Sequence, residues 1–394
     1  MSRADPPAPR LVREPFRVFF PLAFVLGAAG VSHWIAFAFG KLDRSLGLFH
    51  AITMTEAFLP AFAAGFLMTA IPKRTRSAPA GAVTIGALAV LLPLVSIRAF
   101  AGAFAFAELA YVAALVVLAA FAVRRFAGRA AGRRPPASFG LVPAGLVAGI
   151  AGASLIAWSS FGGSSFAYDL GRRLAFEGVF TLLALGVGAF FLPLATRGEA
   201  QPDATSARSF AGYALAGLVV VATYVAEVRG FARAAHLVRG LAIATVFAAS
   251  GAYRAPTRPG ANRRLLWLAA IAFPLGPLCA AALPWHALAA MHVTFIGGFG
   301  LLAFAVATHV TLGHGGFDAL QAARPWPVVA FGVAFALAAL ARSTATLAPD
   351  LYLTALGVAA SAWCTGALVW VLFLVPKLAA TPAHDEEPPQ LREA

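Results

Sequence analysis

Twelve mostly apolar runs, each 18–27 residues long, fill the sequence from Phe16 to Pro376. They cover residues 16–39, 49–71, 80–97, 100–123, 139–161, 170–195, 209–229, 233–253, 264–284, 286–312, 326–347 and 351–376. A helix needs about 20 apolar residues to cross a bilayer. Only a helix satisfies each backbone group of such a run within itself. The pattern therefore predicts an all-α polytopic membrane protein with about twelve transmembrane helices. The chain is 60% hydrophobic and only 12% charged, whereas a soluble domain is about half apolar and a quarter charged. The connections are too short for a soluble catalytic module. We expect one membrane domain, residues 15–376, with solvated tails at 1–14 and 377–394 that are expected to be disordered.

The formal net charge of +14 invites a nucleic-acid reading. Its distribution argues for topology instead. Of the 30 Lys and Arg residues, 21 lie on the two tails and even-numbered connections, and 9 at the odd-numbered ones. By the positive-inside rule both termini are cytoplasmic. Arg3, Arg10, Arg13 and Arg17 precede a first run too long for a cleaved signal. Cys279 and Cys364 both fall inside apolar runs, which reads as core packing rather than a disulfide framework.

The tenth run holds the densest chemistry. His292 and Thr311 are 19 residues apart, about 28 Å as a helix, and Gly313-His314-Gly315-Gly316 closes it. In the second run His50 precedes Thr69 by the same 19 residues, as Glu177 precedes Thr196 in the sixth. Runs two, six and ten are four apart. This predicts three four-helix repeats, with His50, Glu177 and His292 at matched depth around a shared centre. Chance is the bland alternative, since threonine is common near helix ends.

With the termini inside, His50, His292, His286, His33, His236, Glu56, Glu108, Glu177 and Glu227 fall in the outer half. His309 and His314 fall at the cytoplasmic end. Two imidazoles at matched depth suit a metal or a haem iron. An interhelical hydrogen bond between histidines remains the simpler possibility. Met54 follows His50 by one turn and is either core filler or a thioether ligand for Cu(I). Glu56 and Glu177 either relay protons or pair with Arg239. His33 beside Trp34, and His286 after Pro284-Trp285, suit an interfacial belt, while His384 belongs to the tail. Gly297, Gly298 and Gly300 permit close helix approach or a flat ring. No HExxH, thiolate metal motif or phosphate-cradling loop is present.

Two stretches resemble a known family. AMHVTFIGGFGLLAFAVATHVTLGHGG is similar to the tenth-helix signature of NnrS proteins through His292, Gly297, Gly300, Thr308, Thr311 and Leu312-Gly313-His314. FHAITMTEAFLPAFAAGFLMTAIPKRT resembles their second-helix signature through His50-Ala51, Met54, Gly65-Phe66-Leu67, Thr69-Ala70 and Pro72. Pro15-Phe16-Arg17 matches the family's opening.

The resemblance implies a haem- and copper-containing protein of the bacterial inner membrane. The family is linked to nitric oxide, nitrosative stress and denitrification. His50 and His292 carry over as haem b ligands, and His314 as a motif residue and a weak metal candidate. There are departures. The family's His-Ala-His-Glu becomes His50-Ala51-Ile52-Thr53, so one histidine and one carboxylate are missing, which bears most on copper. Gly188-Ala189-Phe190 replaces Gly-Gly-Arg, and His309 replaces an arginine. The twelve-helix plan also looks like that of haem-copper oxidases, but the sixth and seventh runs lack the histidines their copper needs.

The expected role is a haem-binding response to nitric oxide. Nitric oxide itself, or a respiratory or denitrification complex, would be the partner beyond the lipid bilayer. Two rivals stand beside it. One is a haem-free transporter or channel for a small solute or metal, lined by Glu56, Glu108 and Glu177. The other is a non-catalytic sensor or assembly partner of a respiratory complex.

Overall fold

A computed structural model describes residues 10–132, 134–199 and 205–380. Among these residues it is all helix and turn, with no strand. Twelve helices are long and apolar enough to cross a membrane. They are α1 Phe16–Ala38, α2 Gly47–Thr75, α3 Ala82–Phe100, α4 Phe104–Ala127, α5 Ala137–Ser159 and α6 Ser165–Arg197. There follow α7 Ala207–Val228, α8 Ala232–Ser250, α9 Ala261–Ala282, α10 Pro284–His314, α11 Trp326–Thr344 and α12 Pro349–Leu378. Consecutive helices pack on each other, and α12 returns to pack on α1. If all twelve cross, both termini lie on one face.

Helix α6 begins five residues earlier than its apolar run. The added turn carries Tyr168 and Asp169, and Ser164 Oγ caps it by accepting from the Ala167 amide at 3.2 Å. Gly198, at φ +78°, ends the same helix in a left-handed cap.

Helices α2, α6 and α10 form the centre. Their apolar windows are 78%, 72% and 61% buried, against 22–50% for the other nine. Each also contains one π-helical stretch: Thr53–Phe58, Leu174–Gly178 and Val293–Gly300. Among the described residues no other helix contains such a stretch. A π-bulge widens one turn and re-aims the side chains around it, and such bulges concentrate at functional sites. The shared centre of helices two, six and ten, expected from the 19-residue spacing, is therefore present. The π-stretches of α2 and α6 touch, and α10 packs on α2 beyond its own bulge.

Toward the opposite end the bundle is closed by aromatic rings. Phe304 of α10 lies 4.6–5.9 Å from Phe58, Phe62, Phe335, Trp363 and Trp370, centroid to centroid. Trp370 Nε1 donates to Thr308 Oγ1 at 2.9 Å. These large rings fill the space, as expected of a packed core.

Three sequence expectations need correction. Cys279 is exposed, on the outside of α9, because one apolar helix offers both a lipid face and a core face. The segment before α1 is ordered from residue 10: Arg10–Arg13 is helical and Glu14 is held by ion pairs. Lys377 belongs to α12, where Nζ donates to the Phe373 carbonyl at 2.7 Å. Residues 1–9 and 381–394, including His384, lie outside the described residues.

Candidate functional site

The end of the bundle where the even-numbered helices begin contains a cavity of about 600 Å³. His50 and Met54 of α2, Glu177 of α6 and His292 of α10 all line it. Four residues chosen on spacing thus meet in one space, which is in the size range of a small-molecule site. Trp34, Phe176, Phe295 and Trp363 supply its apolar wall.

The two histidines are held alike. His50 Nδ1 lies 2.8 Å from the Gly30 carbonyl of α1, and His292 Nδ1 lies 2.7 Å from the Leu288 carbonyl one turn before it. A carbonyl oxygen only accepts, so each Nδ1 carries the proton. Each Nε2 is left as an unprotonated lone pair, without a hydrogen-bond partner among the described residues. A carbonyl anchoring the far ring nitrogen is the usual arrangement behind a metal-ligating imidazole.

The glycines of α10 serve packing. A Cβ on Gly298 would lie 3.1 Å from Phe273 Cα, and one on Gly297 3.2 Å from Ala272 Cβ. These positions let α10 approach α9. Gly300 also borders the cavity, although a Cβ there would press on Phe335 at 3.3 Å.

Glu177 belongs to an ionic network buried between α6, α7 and α8. Arg239 lies at its centre, 1% exposed. Its Nη1 donates to Glu177 at 3.1 Å, its Nη2 to Glu227 at 2.5 Å and its Nε to Thr223 at 3.0 Å. The guanidinium stacks over the Tyr224 ring at 3.9 Å. Arg173 joins from the cavity wall, 3.1 Å from Glu177 and 3.0 Å from Glu227. Two guanidiniums meet two carboxylates, so the network is neutral with His236 uncharged. Of the two readings offered for Glu177, the structure places it in the ion pair.

Glu56 is elsewhere. It sits in the π-stretch of α2, fully buried, facing the Glu108 carboxyl of α4 rather than Arg239. Thr53, Ser96 and Tyr111 bring further buried hydroxyls without a hydrogen-bond partner among the described residues. The π-bulge accounts for the separation, since Met54 and Thr55 border the cavity while Glu56 turns away from it.

His33, placed by sequence at a membrane boundary, is packed inside the bundle, 9% exposed. Its ring packs on Trp34 at 4.8 Å and approaches His50 at 6.1 Å. His309 is edge-on to Phe191 at 5.3 Å. His286 Nδ1 lies 3.2 Å from Thr346 Oγ1.

His314 is at the other end of α10, away from the cavity. Its Nδ1 donates to Glu14 at 2.8 Å and its Nε2 accepts from Lys73 at 3.0 Å. Arg17 also binds Glu14, at 2.6 Å. Both ring nitrogens are thereby engaged in joining the segment before α1 to the ends of α2 and α10. Burial by itself would raise the Glu14 carboxyl, but the hydrogen bonds from His314 and Arg17, with the Arg17 charge, outweigh it and bring it down to about 2.

Reading by motif missed Arg342, Arg172 and Arg173. None falls in a recognisable pattern. By sequence Arg342 is one more charge at a helix end, yet it lines the cavity with one guanidinium nitrogen buried and without a hydrogen-bond partner among the described residues.

The donor set fits a haem better than a lone metal ion. Two anchored imidazoles, an apolar wall and an orphaned cation suit a flat, apolar, anionic macrocycle. For copper the described residues hold no group of three His, Cys, Asp or Glu. His50 and Met54 form only a two-donor fragment, and Ile52 stands where the family's second histidine would be.

Comparison with known families places this arrangement. The family model described as NnrS protein matches residues 10–381. A search of curated proteins gave no match.

Proposed function

The chain belongs to the NnrS family, and on that premise we propose that it binds haem b in the bacterial inner membrane and acts in the response to nitric oxide. One observation carries the reading: His50 and His292 border one cavity, with each Nδ1 tied to a backbone carbonyl. Each Nε2 would hold the haem iron. The carbonyls of Gly30 and Leu288 fix ring orientation and raise donor basicity. Trp34, Phe176 and Phe295 line the cavity and would keep water from the group. When bound, haem supplies one-electron redox chemistry and an iron that responds to diatomic gases.

Both termini face the cytoplasm in this reading, as the 21-to-9 charge bias supports. The cavity then lies in the periplasmic half, where a gas or a respiratory or denitrification complex would meet it. The test is a dithionite-reduced minus oxidised spectrum of purified protein. A haem b band is expected that is lost or shifted in His50→Ala and in His292→Ala. Absence of any band, or one indifferent to both substitutions, sinks the assignment.

A second reading has its own observation. The buried Glu56–Glu108 pair resembles the carboxyls of proton-coupled transporters. Against it stands the aromatic packing around Phe304, which closes the bundle past the cavity. Solute uptake into vesicles by haem-free protein would favour this alternative.

A further inference from the structure

The cavity carries more positive charge than its own carboxylates neutralise. Three arginines line it, Arg172, Arg173 and Arg342, against one carboxylate, Glu177. Arg173 is matched, because with Arg239 it balances Glu177 and Glu227. Two cations remain. Arg342 is part-buried and forms no ion pair among the described residues, and its Nη1 is shut off from solvent without a hydrogen-bond partner. Arg172 lies 5.6 Å above the rings of Tyr168 and Phe176, also without an ion pair among the described residues.

A guanidinium shut away from water is costly unless an anion completes it. The two arginines share one membrane face. Arg172 is near the start of the even-numbered α6, and Arg342 near the end of the odd-numbered α11. His50 and His292 lie toward the same face, near the starts of α2 and α10. The aromatic packing around Phe304 lies further along α10, past the cavity. Arg342, with a guanidinium nitrogen shut from water, and Arg172, exposed at the cavity wall, are thus the two guanidiniums lining the cavity that have no carboxylate among the described residues.

We propose that Arg342 and Arg172 bind the two propionate carboxylates of the macrocycle, so that the cavity selects a dianionic tetrapyrrole with its charged edge turned to the face where α6 begins. This rests on the haem reading above. It adds which edge of the ring faces out and which residues read it. The planar guanidinium fork matches a carboxylate with two parallel hydrogen bonds. Arg342 is the stronger of the pair, being already desolvated. No bond is made or broken in this recognition.

The test uses the full-length chain, stripped of haem and reconstituted with iron protoporphyrin IX or with its dimethyl ester, which lacks both carboxylates. Affinity is read by optical titration and ligation by the reduced spectrum. Wild type is expected to prefer the diacid by roughly tenfold or more, the value of one charge-assisted bond. Arg342→Met should lose most of that preference, Arg342→Lys should keep part of it, and Arg342→Met with Arg172→Met should abolish it. Partition of the ester into detergent is common to all variants, so the ratio between variants carries the result. Equal binding of both macrocycles by wild type, with the His50 and His292 spectrum intact, overturns this inference alone. Preference undiminished in the double variant does the same. A wild type that takes neither macrocycle overturns the haem reading and this inference together.

Discussion

Arg239 of α8 donates to Glu177 of α6 at 3.1 Å, and the same guanidinium reaches Glu227 of α7 through its other terminal nitrogen. One arginine therefore ties three consecutive helices together behind the cavity wall. Removing one partner of a buried ion pair leaves the other charge uncompensated, at a cost of about 3–5 kcal/mol. Arg239→Ala should lower stability by that order, and Arg239→Lys should only partly restore it, because an ammonium cannot serve Glu177, Glu227 and Thr223 in one plane. Thermal unfolding in detergent measures both. An Arg239→Ala protein as stable as wild type would contradict the network's structural role.

Met54 lines the cavity one turn after His50 but is not required by the proposed haem ligation. Met54→Leu is close to volume-conserving and should cost less than about 1.5 kcal/mol. Haem content and the reduced spectrum are expected to be unchanged. If haem is lost, the thioether is a ligand and one imidazole is not. Copper that is present in wild type and absent from the variant would restore the His50–Met54 fragment as a metal site.

The expected architecture was legible because apolar runs and loop charges report directly on the bilayer. The 19-residue spacing located the centre, because α2, α6 and α10 each place a polar residue one membrane depth from a threonine. What stayed hidden has a common cause. Arg342 and Arg172 look like ordinary loop charges until α11 and α6 bring them to one cavity. Glu56 and Glu177 look equivalent along the chain, yet a π-bulge turns one toward Glu108 while the other meets Arg239. His33 beside Trp34 has the local composition of an interface belt, and only the packing of α1 on α2 brings it to His50. Helix-to-helix pairing and local changes of helical pitch decide these cases, and neither leaves a periodic signal.

Glu56 and Glu108 are at most 1% exposed and face one another inside the membrane segments. None of the described cations forms an ion pair with either. Two carboxylates so placed repel unless they share a proton. Glu108→Gln removes the repulsion and keeps the shape, so stability should stay within about 1 kcal/mol of wild type or rise. Glu108→Ala leaves Glu56 without a polar neighbour on that side and should cost about 1–3 kcal/mol. Thermal melts of the two variants give the order. If Gln proves as damaging as Ala, the pair is held charged by something other than a shared proton.

The Glu14–His314 contact at 2.8 Å sets a pH dependence at the opposite end of α10. Glu14 falls from an ordinary 4.5 to about 2 in the folded chain. Its depressed value means that the folded state holds the ionised form more tightly than the unfolded state does. The stabilisation is therefore full above about pH 4.5 and is lost as the pH falls toward 2. Glu14→Gln removes the charge that Arg17 and His314 share while keeping the side chain's size. With some solvent at the site, the loss is on the order of 1 kcal/mol. The expected result is a wild-type advantage over Glu14→Gln that is constant from neutral pH to about 5, shrinks through pH 4 to 3 and vanishes near 2. Unfolding midpoints of both proteins across that range measure it. A gap that persists at the lowest pH, or that is absent at neutrality, would show that Glu14 acts through packing rather than charge.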